Sequence, residues 1–298
     1  MSDHLKAVIL VVLSGLVWSF GTLVVKHMID PQIYQLPYLV VRGVTVAIII
    51  SLYLTIQEGK SFFLNVIKVD KISILGGVLL TTAFVGFIYS ISHTTAAVTL
   101  FMLALMPFLA SLIAFVFIKE KISLQNFISM IVALGGTLVM IYSSVFNGSV
   151  FGLVMGFISS LGFAAFSVTL RSKSDLKKFY ILVFGGIFCS LISLAIMIFN
   201  HQEFYIPLKN IYLSITHGSL VATGLILFSL GSKELLSGEL TMLSLLEVVG
   251  GIFWAWLPLL GINETPSVKT IIGGAIICIA ILMNSYRFDK KRLQKMVR

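Results

Sequence analysis

Charge is scarce in this chain, and acid scarcer than base. Charged residues make up 11% of its 298 residues, where a soluble domain carries about a quarter, which excludes an ordinary solvated globular surface. There are only two cysteines, Cys189 and Cys278, and both lie inside apolar runs. No disulfide or cysteine-based metal framework can be built from them, and a thiol in such a run behaves as a small apolar residue. The chain contains no His-Glu-x-x-His, Gly-x-Ser-x-Gly, Gly-x-x-x-x-Gly-Lys-Ser/Thr or Gly-x-Gly-x-x-Gly. With those motifs missing, no catalytic residue, metal ligand set or cofactor is expected, and the chain is not expected to be an enzyme.

What the chain has in abundance is hydrocarbon: 58% of its residues are hydrophobic and its mean hydropathy is +1.05. A helix needs about 20 apolar residues to cross a bilayer core. Ten runs meet that length, near 6–26, 34–56, 72–92, 95–117, 124–142, 150–170, 179–199, 211–231, 240–260 and 269–285. The expected fold is an all-α polytopic membrane protein. The first run continues for about twenty residues without a small-x-small cleavage site, so it reads as a retained span. Seventeen of the 21 Lys and Arg residues fall on the N-terminus, the even-numbered loops and the tail; Lys26, Lys209 and Lys269 fall on the other side, and Arg42 inside a span. That bias places both termini in the cytoplasm. It also accounts for the net charge of +9 without a nucleic-acid partner. The basic tail, residues 287–298, is expected to lie against anionic membrane lipid.

The halves echo each other. Ser14-Gly15-Leu16-Val17-Trp18, ending at Lys26, resembles Ser159-Ser160-Leu161-Gly162-Phe163, ending at Arg171, at an offset of 145. A second echo sets Thr94–Lys121, with Met106-Pro107 and Glu120, against Leu235–Thr265, with Glu247-Val248 and Glu264, once three extra residues are allowed. Their common order points to two five-helix units, residues 1–145 and 146–286. Since five crossings are odd, the copies enter the membrane from opposite sides, giving an inverted 5+5 repeat with a site expected near the midplane.

One residue stands out at that depth. Glu247 lies within the apolar stretch 240–260, and an ionisable group there is a functional hypothesis by default. Helical spacing puts Ser244, Glu247, Gly250, Gly251 and Trp254 on one face, which should line a cavity. Tyr38 and Arg42 follow one side of the second span; Arg42 is either a site cation or a guanidinium snorkelling outward. Trp18 is a cavity wall or a packed core aromatic, and Phe163 is its counterpart in the other half. Tyr89 lies on a stripe of the third span, and His217 in the eighth is a site residue or a buried, hydrogen-bonded histidine. Pro107 removes a backbone donor in mid-span and is the expected hinge, with Gly250 and Gly251. The glycine pairs Gly135-Gly136 and Gly273-Gly274 mark helices five and ten for packing and homodimer contacts.

Over essentially its whole length the chain resembles the EamA-type transporters of the drug/metabolite transporter superfamily. The residues that carry the resemblance are Thr94-Thr-Ala-Ala-Val, Met106-Pro-Phe, Lys119-Glu-Lys, Leu245-Leu-Glu-Val-Val, Trp254-Ala-Trp and Glu264-Thr-Pro-Ser, with Trp18-Ser-Phe-Gly and Arg42-Gly43. Val248 departs from the proline usual after that Glu. The resemblance implies ten helices, an inverted repeat, a central cavity and alternating access. Combined with the residues above, the expected function is secondary transport of a small polar metabolite, an amino acid or related zwitterion, across a cell membrane, read as a bacterial inner membrane. The substrate would be held by Glu247, Arg42, Trp18, Tyr89 and Trp254. The alternatives are an organic cation held by Glu247 and aromatic faces and, more remotely, a membrane-embedded enzyme acting on a lipid-like substrate.

Overall fold

A computed structural model describes residues 2–94, 96–141, 149–173, 177–261 and 267–296, and every regular element among them is helical. The first, α1 (Asp3–Lys26), starts where the Ser2 side chain accepts from Leu5 N, with Asp3 in its first turn and Lys26 in its last. Both charges suit the helix dipole. α2 (Pro31–Glu58) opens on a proline, which has no amide hydrogen to leave unpaired. A second proline, Pro37, falls inside α2 and frees the carbonyl of Ile33; Gln202 Nε2 donates to that oxygen at 3.4 Å. Borrowed donors of this kind let a spanning helix tolerate a proline. A short amphipathic helix, α3 (Ser61–Ile67), buries Phe62 and exposes Phe63, Leu64 and Ile67. It is followed by α4 (Lys71–His93), capped by Asp70 on Ser73 N at 2.8 Å.

The fourth apolar run is divided into α5 (Ala96–Leu103) and α6 (Met106–Phe117), joined by a turn at Ala104 and Leu105. Pro107 is the second residue of α6, where no amide donor is needed, so it starts a helix instead of bending one. After α7 (Leu124–Ile141), α8 (Val150–Arg171), α9 (Lys177–Phe199) and α10 (Leu208–Gly231), the ninth run is divided in the same way. α11 (Ser237–Leu243) turns at Ser244 and Leu245 into α12 (Leu246–Trp256). Gly250 and Gly251 lie within α12, not at its break. A Cβ at Gly250 would stand 2.6 Å from Ser19 Cβ, and one at Gly251 3.1 Å from Thr22 Oγ1, so these glycines serve close packing of α12 on α1. The last helix is α13 (Val268–Met296).

Seven helical runs among the described residues are long and apolar enough to cross a membrane, and 124–139 and 271–284 are shorter apolar helices. The chain is a multi-pass membrane protein. Its helices pack across the two halves of the sequence: α4 lies on α8 and α1 on α10, α2 lies on α9, α7 on α13, and α6 on α11. α4 also meets α9, and α2 meets α10. Small residues make the contacts close. A Cβ at Gly86 would stand 2.7 Å from Ser159 N, and one at Gly136 2.8 Å from Gly273 O, the small-residue logic of helix association in lipid.

Candidate functional site

The divided helices and the α1/α10 and α4/α8 pairs surround one central cavity. It spans about 530 Å³ of atom-free space, its open side included. Trp18, Arg42, Phe163, His217 and Glu247, all expected from the sequence, line it together. The rest of the wall is apolar and includes Phe84, Phe87, Leu103, Met106 and Leu225.

Trp18 and Phe163, 145 residues apart in the chain, meet with ring centroids 5.5 Å apart, edge to face. Phe228 contacts both, at 5.4 Å from each. The Trp18 indole donates to Val221 O at 3.3 Å, fixing the ring against α10. Gly224 makes room for it, since a Cβ there would fall 2.1 Å from Trp18 Nε1.

Arg42 does not snorkel. It is 2% exposed, its guanidinium carbon sits 4.5 Å from the Phe84 ring centroid, and both Nε and Nη1 are buried without a hydrogen-bond partner. A desolvated guanidinium normally satisfies its donors on a carboxylate. Glu247, on the same cavity, is the second residue of α12, where the helix dipole favours a negative charge. Neither residue forms an ion pair with the other or with any described side chain. The cavity therefore presents a guanidinium and a carboxyl group, neither ion-paired to a described side chain, among aromatic and aliphatic walls. His217 is 3% exposed and shares a 2.9 Å hydrogen bond between its Nδ1 and Tyr38 Oη, so Tyr38 backs the site from behind.

Three expected residues stand apart. Tyr89 packs on His93 and Phe151, at 6.2 and 6.1 Å between ring centroids. Trp254 donates to Ser19 Oγ at 2.7 Å and stacks on Phe20 at 4.4 Å. Ser244 is buried at the α11–α12 turn, donating to Thr241 O at 2.7 Å. None of the three is among the cavity-lining residues. Helical spacing selects a face but not its neighbour, and here the Trp254 face meets α1.

A second polar cluster was not anticipated. Glu120 pairs with Arg171 and accepts from Ser237 N at 2.9 Å, and Arg171 also donates to the carbonyls of Ser232 and Lys233 at 2.9 and 3.2 Å. Beside it Glu239, 2% exposed, accepts from Asn126 Nδ2 at 2.8 Å. The available signal was an acid one residue before the apolar stretch that begins at Leu240. Among the described residues no group of three or more His, Cys, Asp or Glu could hold a metal ion.

Residues 5–142, a little under half of the chain, match the model of the EamA-like transporter family. A solved structure titled "Crystal structure of protein" is similar at 16% identity, covering 93% of this chain and 95% of that one with a TM-score of 0.72. It speaks for the fold over nearly the full length. No curated protein matches.

Proposed function

We propose that the chain is a secondary active transporter that moves a small zwitterion, an amino acid or a related metabolite, through the central cavity by alternating access. The observation that carries this reading is the pair of unpaired charges. Arg42 has two buried N–H donors free, and Glu247 shares its cavity without pairing to it. A zwitterion brings a carboxylate for the guanidinium and an ammonium for Glu247, and compensates both desolvated charges at once. The aromatic walls enclose its remainder. An organic cation would use Glu247 and Trp18 but would leave the guanidinium of Arg42 unsatisfied, so the zwitterion is favoured.

The architecture behind the reading is ten spans in an inverted 5+5 repeat, residues 1–145 and 146–286, with both termini cytoplasmic in a bacterial inner membrane. The packing supports it. Exchanging α1 with α8, α2 with α9, α4 with α10 and α7 with α13 turns the α4–α8 contact into α10–α1 and the α4–α9 contact into α10–α2, and returns α2–α9 and α7–α13 to themselves. A twofold-related repeat has this property. Both divided runs break at corresponding places, with Pro107 and Glu247 each the second residue of the following half-helix. Rocking of one helix set against the other around a fixed cavity follows. On the same reading the outer faces of α7 and α13, which expose Ile131, Leu138, Ile272 and Ile279, are where a second copy would dock.

The test is a melting-temperature screen of the detergent-purified protein against amino acids, betaines and simple amines, since a ligand of the folded state stabilises it by about 2.7 kcal/mol at a hundredfold excess over Kd. Stabilisation by zwitterions and not by the corresponding amines or acids is expected. Stabilisation by amines alone would move the assignment to an organic cation, and chemical conversion of the ligand would make the protein an enzyme.

A further inference from the structure

Apart from the cavity, a second buried carboxylate lies on α11, and unpaired buried oxygens occur on its partner Asn126 and on Ser237, two residues before it. Glu239 lies on α11 at 2% exposure; its Oε1 accepts from Asn126 Nδ2 at 2.8 Å and its Oε2 from Leu236 N at 3.3 Å. Both donors are neutral, and Glu239 forms no ion pair with any described residue. The nearby guanidinium of Arg171 is held by Glu120 and two backbone carbonyls. A carboxyl group removed from water with only neutral donors is neutralised either by a proton or by a cation.

Asn126 Oδ1, Ser237 Oγ and Ser129 Oγ are all buried without a hydrogen-bond partner, at exposures of 4%, 0% and 0%. The Asn126 amide cannot be turned over to relieve this, because its NH₂ is needed by Glu239. Asn126 also lines a recess of about 220 Å³ of atom-free space, with Ser111, Glu120, Lys121 and Gly238. Buried oxygens left unpaired in native proteins call for a water or an ion. One carboxylate with neutral oxygens suits a hard monovalent cation. Calcium takes six to eight oxygens, commonly from several carboxylates, and softer metals prefer nitrogen or sulfur.

We propose that Glu239, Asn126 and Ser237 form a sodium-binding site on α11. The site is separate from the cavity and extends the transport reading. α11 is the first half of the divided helix whose second half, α12, carries Glu247 as its second residue. An ion at one half and a ligand at the other act on the two sides of a single turn, Ser244-Leu245, which is a physical route for coupling them. Lys121 is the competing neutraliser, a flexible ammonium on the same recess.

Melting temperatures of the ligand-free protein in sodium, potassium and choline chloride at equal ionic strength test the site. The expected result is a rise that saturates with sodium, is absent with choline, is lost in Glu239→Gln and is kept in Glu247→Gln. Equal melting in all three salts, or a sodium response that survives Glu239→Gln, would overturn the proposal in favour of neutralisation by Lys121 or a proton. An equal response to potassium would overturn the assignment to sodium. Should Glu239→Gln fail to fold, Asn126→Ala is expected to raise the half-saturating sodium concentration at least tenfold, and an unchanged value would overturn the site. No substrate is present in this experiment, so its failure leaves the transport reading standing, and a failed substrate screen leaves the sodium response standing.

Discussion

Trp18 illustrates how one side chain serves packing and function together. Its indole N–H is fixed on Val221 O, and its ring forms the floor that Phe163 and Phe228 complete. Trp18→Phe keeps most of the ring contacts and gives up the hydrogen bond, so a stability loss of about 0.5–1.5 kcal/mol is expected in a denaturation experiment. The Asp70 carboxyl on the rim is held down to about 2, chiefly by its hydrogen bond with Lys173. Because its folded value lies below the ordinary 3.8, the pair contributes above that pH and the contribution is lost as pH falls toward 2. The Asp70 side chain is about half exposed, so Lys173→Gln should lower stability at neutral pH by less than about 1 kcal/mol and bring the Asp70 titration back up. Arg42 and Glu247 could be picked from the sequence because charge within hydrocarbon is conspicuous. Phe84, which seats Arg42, could not: one phenylalanine among 23 carries no mark of its partner.

The two divided runs are the elements on which the proposed transport cycle would turn. Pro107 marks the neighbourhood of the first break; nothing in the sequence marks the second. The turns themselves, Ala104-Leu105 and Ser244-Leu245, contain no glycine or proline. Pro107 does show in the sequence, but as the first turn of α6; lacking an amide hydrogen, it leaves the Leu103 carbonyl unable to receive the next helical bond. Pro107→Ala restores that donor and should favour one continuous helix over residues 96–117. Ligand affinity is expected to stay within about twofold while turnover in reconstituted vesicles falls, and unchanged turnover would leave Pro107 with a packing role only. Helix contacts yield a sharper expectation. Gly224→Ala would place a methyl 2.1 Å from Trp18 Nε1, so the ring must move into the cavity. A loss of about 1–3 kcal/mol of stability is expected from such overpacking, together with weakened ligand binding.

At the scale of the whole molecule, the asymmetry of basic residues and the odd number of spans in each half carry the topology. A cysteine at Glu203, an exposed position between α9 and α10, should react with an impermeant thiol reagent applied outside intact cells, and one at Ser172, exposed after α8, should not. The reverse pattern would turn the protein over in the membrane. The proposed inverted repeat rests on sequence segments that keep residues such as Trp18 and Phe163 at one offset. The inner cluster of Glu120, Arg171, Asn126 and Glu239 was not, because it is assembled from residues far apart in the chain.

The central claim is that Arg42 and Glu247 are held apart to receive a zwitterion, and Glu247→Gln tests it most directly. The measurement is the affinity of a stabilising zwitterion, read alongside the ligand-free melting temperature of the same variant. The account predicts that affinity falls by about 1.5–3 kcal/mol, the worth of a hydrogen bond to a charged group, while the ligand-free protein melts no lower than before because an unpaired buried charge has been removed. A variant that melts lower and binds the ligand as tightly as the parent would contradict it, and would make Glu247 a structural bond within the fold.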